Sequence, residues 1–206
     1  MKLLHPLTAG LICLALLLPV TAGAVAEDPR EMVIATTEEM LGTIREKRAE
    51  LDANPRLVDQ FIIEIVLPHF DFVAMSRATL GKHWRRASKG QQERFVREFR
   101  GLLVRTYATA LLEYTEESIE YPPLVAGVDD TDVTVRTEIE QPGGLGIPIH
   151  YRVERQEDGW KVYDVTIDGL SLIANYRNTF NNEIRKVGLD QLIDNIKQGN
   201  VDAHGG

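Results

Sequence analysis

Cysteine is nearly missing from this chain. Its 206 residues include one, Cys13, close to the start. That excludes a disulfide framework and any zinc site built on thiolates. Positive charge is also short. Against 31 Asp and Glu stand 23 Lys and Arg, for a formal net charge of −8. Nucleic acid and bare anionic membrane surfaces are poor partners for such a chain. Long apolar runs are absent too. The stretch 11–18 is apolar throughout but too short to cross a bilayer, so no transmembrane span is expected. No internal repeat and no low-complexity tract is visible.

The short apolar run has another reading. Lys2 supplies a positive start, 11–18 an apolar centre, and Ala24-Val25-Ala26 a small-x-small cleavage site. Residues 1–26 therefore read as a cleavable signal peptide, with cleavage before Glu27. Cys13 has Gly10 and Ile12 around it rather than a lipobox, so a lipid anchor is not expected. The mature chain of 180 residues would carry no cysteine and about −9 charge. Export without a disulfide framework fits the periplasm of a Gram-negative bacterium. Residues 27–199 are long enough to form one domain on a core alone, and 200–206 read as a flexible tail.

What is present is periodicity. Phe95, Phe99, Leu103, Tyr107 and Leu111 recur every four residues in 91–115, which contains no proline and a single glycine. This spacing forms one stripe on a long helix. Tyr176, Phe180 and Ile184 repeat the pattern in a helix over 170–187 that Gly188 stops. Further helices are expected over 29–53, 55–68, 71–80 and 190–198. Ser88 and Gln91 form a capping box ahead of the long helix.

Between the aromatic helices the period changes to two. A weak, proline-interrupted strand over 118–127 reads as an edge. Val133, Val135, Thr137 and Ile139 then alternate with polar residues, as do Ile147, Ile149, Tyr151 and Val153. Tyr163, Val165 and Ile167 alternate with Val162, Asp164 and Thr166, and Asp158-Gly159 marks a tight hairpin. Clusters at 129–132 and 143–146 mark the other turns. The class is α+β: a four-stranded antiparallel meander packed against several helices. Aromatic helices facing a sheet either close into a solid core or enclose an apolar cavity. Tyr107, Tyr151, Tyr163 and Tyr176 fall on or near the inward stripes. Their hydroxyls need partners, which suits a pocket apolar inside and wet at its mouth as well as ordinary core aromatics.

No catalytic constellation emerges, and the chain is not expected to be an enzyme. His69, His83, His150 and His204 have no metal-ligand spacing. His69 beside Asp71 reads as a helix junction next to an N-cap. Asp164 and Asp168 share one strand face, as paired carboxylates would, but read as an outer-face residue and the entry to a helix. Ser171 lacks a G-x-S-x-G elbow. The 143–146 glycine cluster lacks a following helix and Lys-Ser/Thr, and reads as a hairpin loop. Nine basic residues crowd between Arg77 and Arg105. They form either a solvated helix face or a patch for an acidic partner or a phosphate, with Arg97 and Arg100 as candidates.

Three runs carry a resemblance. The segment 72–84, Phe-Val-Ala-Met-Ser-Arg-Ala-Thr-Leu-Gly-Lys-His-Trp, leads into Ala87-Ser88, Gln91, Phe95, Phe99, Leu102-Leu103 and Thr106-Tyr107. The segment 159–165 reads Gly-Trp-Lys-Val-Tyr-Asp-Val. Gly169-Leu170-Ser171-Leu172, Asn175-Tyr176-Arg177 and Phe180 follow. Together they resemble the MlaC, or toluene-tolerance, family of periplasmic phospholipid-binding transport proteins, over nearly the whole mature chain. The resemblance implies an α+β fold with an NTF2-like element around a deep hydrophobic cavity. It implies a carrier of phospholipid as cargo, with no cofactor and no metal, that maintains outer-membrane lipid asymmetry. Implied partners are an inner-membrane ABC transporter complex with its MCE-domain protein and an outer-membrane lipoprotein–porin complex.

The expected lipid-binding residues are Phe99, Leu103, Tyr107, Leu111, Val135, Ile149, Tyr151, Val153, Val165, Ile167, Tyr176 and Phe180. The physical need is large. Two acyl chains expose roughly thirty methylenes, about 24 kcal/mol in water at about 0.8 kcal/mol each. The alternatives are an NTF2-like enzyme with an acid–base pocket and a lipoprotein chaperone or interaction module.

Overall fold

A computed structural model of the chain describes residues 28–113, 118–127, 130–141 and 143–201, with the backbone alone at 109, 111 and 113. The expected signal peptide and most of the expected tail lie outside these residues.

Local chemistry starts each helix. Asp28 caps α1 (Pro29–Glu46) by accepting from the Arg30 amide at 2.8 Å, with Pro29 in the first turn. The backbone leaves helical geometry at Lys47, with φ −97° and ψ 12°, so the expected single helix is two, α1 and α2 (Arg48–Ala53). The next, α3 (Leu57–Phe61), continues as a π-helical turn, Ile62–Val66, and a 3₁₀ turn, Leu67–His69. Pro68 has no N–H to donate, which disfavours an α-helical continuation. Asp71 caps α4 (Phe72–Leu80) through the Ala74 amide at 2.8 Å. Gly81–Arg86 is a 3₁₀ segment. The capping box forms as expected ahead of α5 (Lys89–Glu113): Ser88 Oγ accepts from the Gln91 amide and Gln91 Oε1 from the Ser88 amide.

The sheet is antiparallel throughout, in the order β1 (Ile119–Glu120), β2 (Asp132–Ile139), β3 (Ile147–Gln156), β4 (Gly159–Ile167), β5 (Leu170–Ser171). Five strands stand where four were expected. Asp168 and Gly169 take φ of 48° and 79°, and this two-residue reversal pairs Ile167 with Leu170. The first two residues of the expected 170–187 helix are therefore strand. Ser171 then caps α6 (Leu172–Val187), and α7 (Leu189–Gln198) follows Gly188.

One irregularity sets the sheet's faces. Arg152 pairs with Asp164, but Val153 pairs with Val162. Tyr163 is the extra residue of a β-bulge, and an extra residue reverses the alternation. Val162 therefore joins Val165 and Ile167 on the apolar side, which corrects the simple alternation expected for this strand. The second correction is Asp164. It is 6 % exposed, not an outer-face residue. Its Oδ2 accepts from Ser171 Oγ at 2.7 Å and its Oδ1 from the Ile173 amide at 3.2 Å. A carboxylate in this place completes the N-terminus of α6.

Three apolar clusters result. Met75, Phe95, Phe99, Phe180, Leu192 and Ile196 belong to one, joining α4, α5, α6 and α7. Met32 and Val33 of α1 cover Val133, Val135, Val153 and Val162 of the sheet. Met40 and Ile44 of α1 meet Leu51, Val58, Ile62 and Ala108. Both α1 and α5 thus contribute to two clusters.

Removing the Asp164 acceptor leaves the Ile173 amide buried and unpaired. Asp164→Ala should lower unfolding free energy by about 1–3 kcal/mol in urea titrations. Ser171→Ala should cost less in that background than alone, because the two share one network.

Candidate functional site

The aromatic stripes of α5 and α6 meet each other first. Phe95 and Phe99 stack with centroids 5.5 Å apart, and Phe180 meets both edge-on at 5.7 Å. Tyr176 meets Phe99 edge-on at 5.3 Å. Phe99 and Phe180 are 0 % exposed and Tyr176 1 %, so neighbouring atoms take up their surface in this conformation. Leu103 lies in the same cluster. Val135, Val153 and Val165 are buried in the sheet cluster. The Leu111 side chain lies outside the described residues.

Four of the expected lining residues keep accessible surface: Tyr107, Ile149, Tyr151 and Ile167. Three of these form one patch on the apolar side of the sheet. Ile149 is the cross-strand partner of Ile167, and Tyr151 that of Val165, two positions along. Leu124 and Leu172 are half-buried beside the same cluster. Neither was among the expected lining residues. Leu124 sits in the proline-interrupted segment, and Leu172 begins the stripe that runs on through Tyr176 and Phe180. Ile65 and Val66, half-buried in the π-helical turn, were also outside that set. Their only signal is the apolar density of 61–66, which by itself reads as core.

Several neutral hydroxyls lie among these walls. Tyr151 is hydrogen-bonded to the Thr137 side chain, and burial pushes its hydroxyl from 10.0 up to about 12. Thr137 Oγ1 donates in turn to the Ile149 carbonyl at 3.0 Å. Burial also raises Tyr107 and Tyr176. The Tyr176 hydroxyl lies beside Thr106 and Tyr107 without a hydrogen bond of ordinary geometry. Such surroundings accept apolar chains and a few uncharged polar atoms, and disfavour an isolated charge.

The acid–base candidates do not come together. Asp71 is engaged as a cap and also accepts from Gln156 Nε2 at 2.7 Å. Asp164 is engaged at the start of α6. Asp168 is exposed in a turn, and His69 ends a 3₁₀ segment. Residues 143–146 lie in the β2–β3 loop. Among the described residues there is no cluster of three or more potential metal-ligating side chains, and no helix is long and apolar enough to cross a membrane. Arg97 and Arg100 are exposed on α5, and Arg97 pairs with Glu98 at 3.0 Å.

The MlaC protein family profile matches residues 35–198. The chain belongs to the MlaC family. It is 33 % identical to the phospholipid-binding protein from Ralstonia solanacearum, whose structure was solved in complex with a phospholipid. That match has a TM-score of 0.77 and covers 84 % of this chain and 96 % of the other. Toluene tolerance protein ttg2D of Pseudomonas putida is 29 % identical over 191 residues, 91 % of this chain and 88 % of the relative. The intermembrane phospholipid transport system binding protein MlaC of Haemophilus influenzae is 24 % identical over 183 residues, 87 % of this chain and 86 % of the relative. The α+β class read from the sequence agrees with this MlaC-type fold.

Tyr151 gives the site a pH signature. Its folded pKa lies above the unfolded value, so the neutral hydroxyl favours the folded state. That contribution is complete below about pH 10 and is lost as pH rises through about 12. Ultraviolet difference titration should show several late tyrosine ionisations, one fewer in Tyr151→Phe because Tyr107, Tyr163 and Tyr176 are also raised, and the alkaline loss of stability should be shallower in that variant.

Proposed function

We propose that this chain is a phospholipid-binding carrier that works in the periplasm. The observation that carries the reading is the match, across most of the chain, to a protein solved with a phospholipid bound. The chemistry of the interior supports it. The sheet offers half-buried Ile149, Tyr151 and Ile167, and α5 offers Tyr107. Acyl chains lie against this patch, with Leu103, Val135, Val153 and Val165 as the wall behind it. Phe99, Tyr176 and Phe180 hold α5 to α6 and bound the space on one side. Hydroxyls of Tyr107 and Tyr151, which keep accessible surface, face the ester region rather than a charge.

The energy scale explains why a carrier is needed. Exposure of two acyl chains costs about 24 kcal/mol. A protein interior resembling hydrocarbon removes most of that barrier without driving the lipid in either direction. Direction then comes from machines at each membrane. In this reading they are the inner-membrane ABC transporter with its MCE-domain protein and the outer-membrane lipoprotein–porin complex. Export by the 1–26 segment puts the chain in the compartment between them. The chain carries lipid as cargo and performs no reaction on it.

Native mass spectrometry of the purified protein should show a phospholipid-sized mass adduct that organic extraction identifies. Tyr107→Asp or Val165→Asp should lower occupancy at least severalfold while circular dichroism stays unchanged, because a carboxylate among acyl chains is expensive. A protein that never acquires phospholipid from donor vesicles would remove the carrier reading. Full loading in both folded variants would move the lipid elsewhere in the fold.

A further inference from the structure

The outer side of α6 carries a second feature, opposite in chemistry to its inner side. Inward, Ile173, Tyr176, Phe180 and Ile184 join the aromatic cluster. On the other side, Arg177, Asn178, Asn181, Asn182 and Arg185 line an open cleft of about 710 Å³. Its opposite wall is the turn after α4, with Gly81, Lys82 and Arg85. Gly81 takes φ 53° and ψ −116°, a conformation that favours glycine and that turns the chain out of α4.

Four cations and three amides line this cleft, and no carboxylate does. In a chain with net charge −8 that concentration of positive charge is unusual. The other basic residues are frequently neutralised. Arg94 pairs with Asp190, Lys161 with Asp158 and Lys186 with Glu183. Among the described residues, Lys82, Arg85, Arg177 and Arg185 have no carboxylate partner.

The cleft is also pre-organised. Arg177 Nε donates to the Ala78 carbonyl at 2.8 Å, tying α6 to α4 and holding the guanidinium at the wall. Asn181 Nδ2 donates to the Arg177 carbonyl at 2.8 Å, and Arg185 hydrogen-bonds to Asn182. Fixed guanidinium groups bind carboxylates at less entropic cost than free ones.

We propose that this cleft docks an acidic segment of a partner protein, one presenting Asp or Glu side chains on a protruding loop or helix end. Its concave shape fits a protrusion better than a flat bilayer surface. Its lining shares no residue with the apolar clusters of the interior, so it is a separate surface. Lysine and arginine without partners attract carboxylates over distance and speed docking at low salt. Arg97 and Arg100, the candidates from sequence, lie on α5 and do not line the cleft. The inference stands on the cleft itself and holds whatever the interior carries.

The probe is a fluorescein-labelled hexaglutamate peptide, followed by fluorescence anisotropy with the full mature chain. Binding should weaken as salt is raised. Arg85→Glu combined with Arg185→Glu, both exposed, should weaken it by about tenfold or more. Arg97→Glu combined with Arg100→Glu should change it by about twofold or less. Carbodiimide coupling on the unaltered protein should join peptide carboxylates to Lys82, the only lysine of the cleft, which needs no variant to fold. Native mass spectrometry should show lipid content unchanged in the cleft variant. No hexaglutamate binding, equal losses in both double variants, or coupling spread over the other lysines would overturn the proposal. So would cleft-dependent binding to phosphatidylethanolamine–phosphatidylglycerol vesicles without peptide binding, which would make the surface a membrane contact. Loss of lipid from the cleft variant would likewise overturn it, by merging the cleft with the interior.

Discussion

Edge-to-face contact among Phe95, Phe99, Tyr176 and Phe180 is the constraint on which the helical half of this protein depends. Rings in this arrangement gain more than their buried area alone provides, because the positive edge of one meets the negative face of another. The contact joins the middle of α5 to α6, two helices separated in sequence by the whole sheet. With α6 fixed, its first turn must meet the end of β4. Asp164 makes that junction stable by accepting from Ser171 and the Ile173 amide. The carboxylate and the rings therefore act on one element from its end and its side.

The same contact concentrates packing at one end of the fold. The rings close on α4 and α7, while the sheet is covered by the start of α1. The end of α1 packs instead on α2, α3 and the end of α5. Half-buried apolar groups remain on the sheet at Ile149, Tyr151 and Ile167 and on the π-helical turn at Ile65 and Val66. Residues that pack fully do not leave such partial exposure. An apolar cargo would complete what these side chains leave uncovered, which is the physical content of the carrier reading. On α6, hydrocarbon chemistry and charge chemistry occupy different faces of one helix.

Much of the packing was legible from periodicity, but not all of it. The stripe through Phe95 and Phe99 and the capping box at Ser88 and Gln91 follow from spacing, because both are local. The bulge at Tyr163 was not legible. One inserted residue reverses the parity of everything after it, and alternation carries no mark of where it enters. The Asp168-Gly169 reversal repeats the Asp-Gly pair already visible at Asp158-Gly159. It was hidden because a helix follows it almost at once. The aromatic stripes showed that α5 and α6 each bury a face, not that the two bury against each other.

By itself the sequence determined the α+β class, the succession of helices, antiparallel meander and helices, the caps at Asp71 and Ser88, and the main apolar stripes. Those properties depend on neighbours a few positions away, through backbone hydrogen bonding and side-chain period. Only the tertiary structure decided that Asp164 is buried at a helix start, that Phe99, Tyr176 and Phe180 face one another, and that Lys82, Arg85, Arg177 and Arg185 share one cleft. Each of these unites residues from separate elements. Their meeting is set by how whole helices and strands pack, a sum over many weak contacts that no local spacing records.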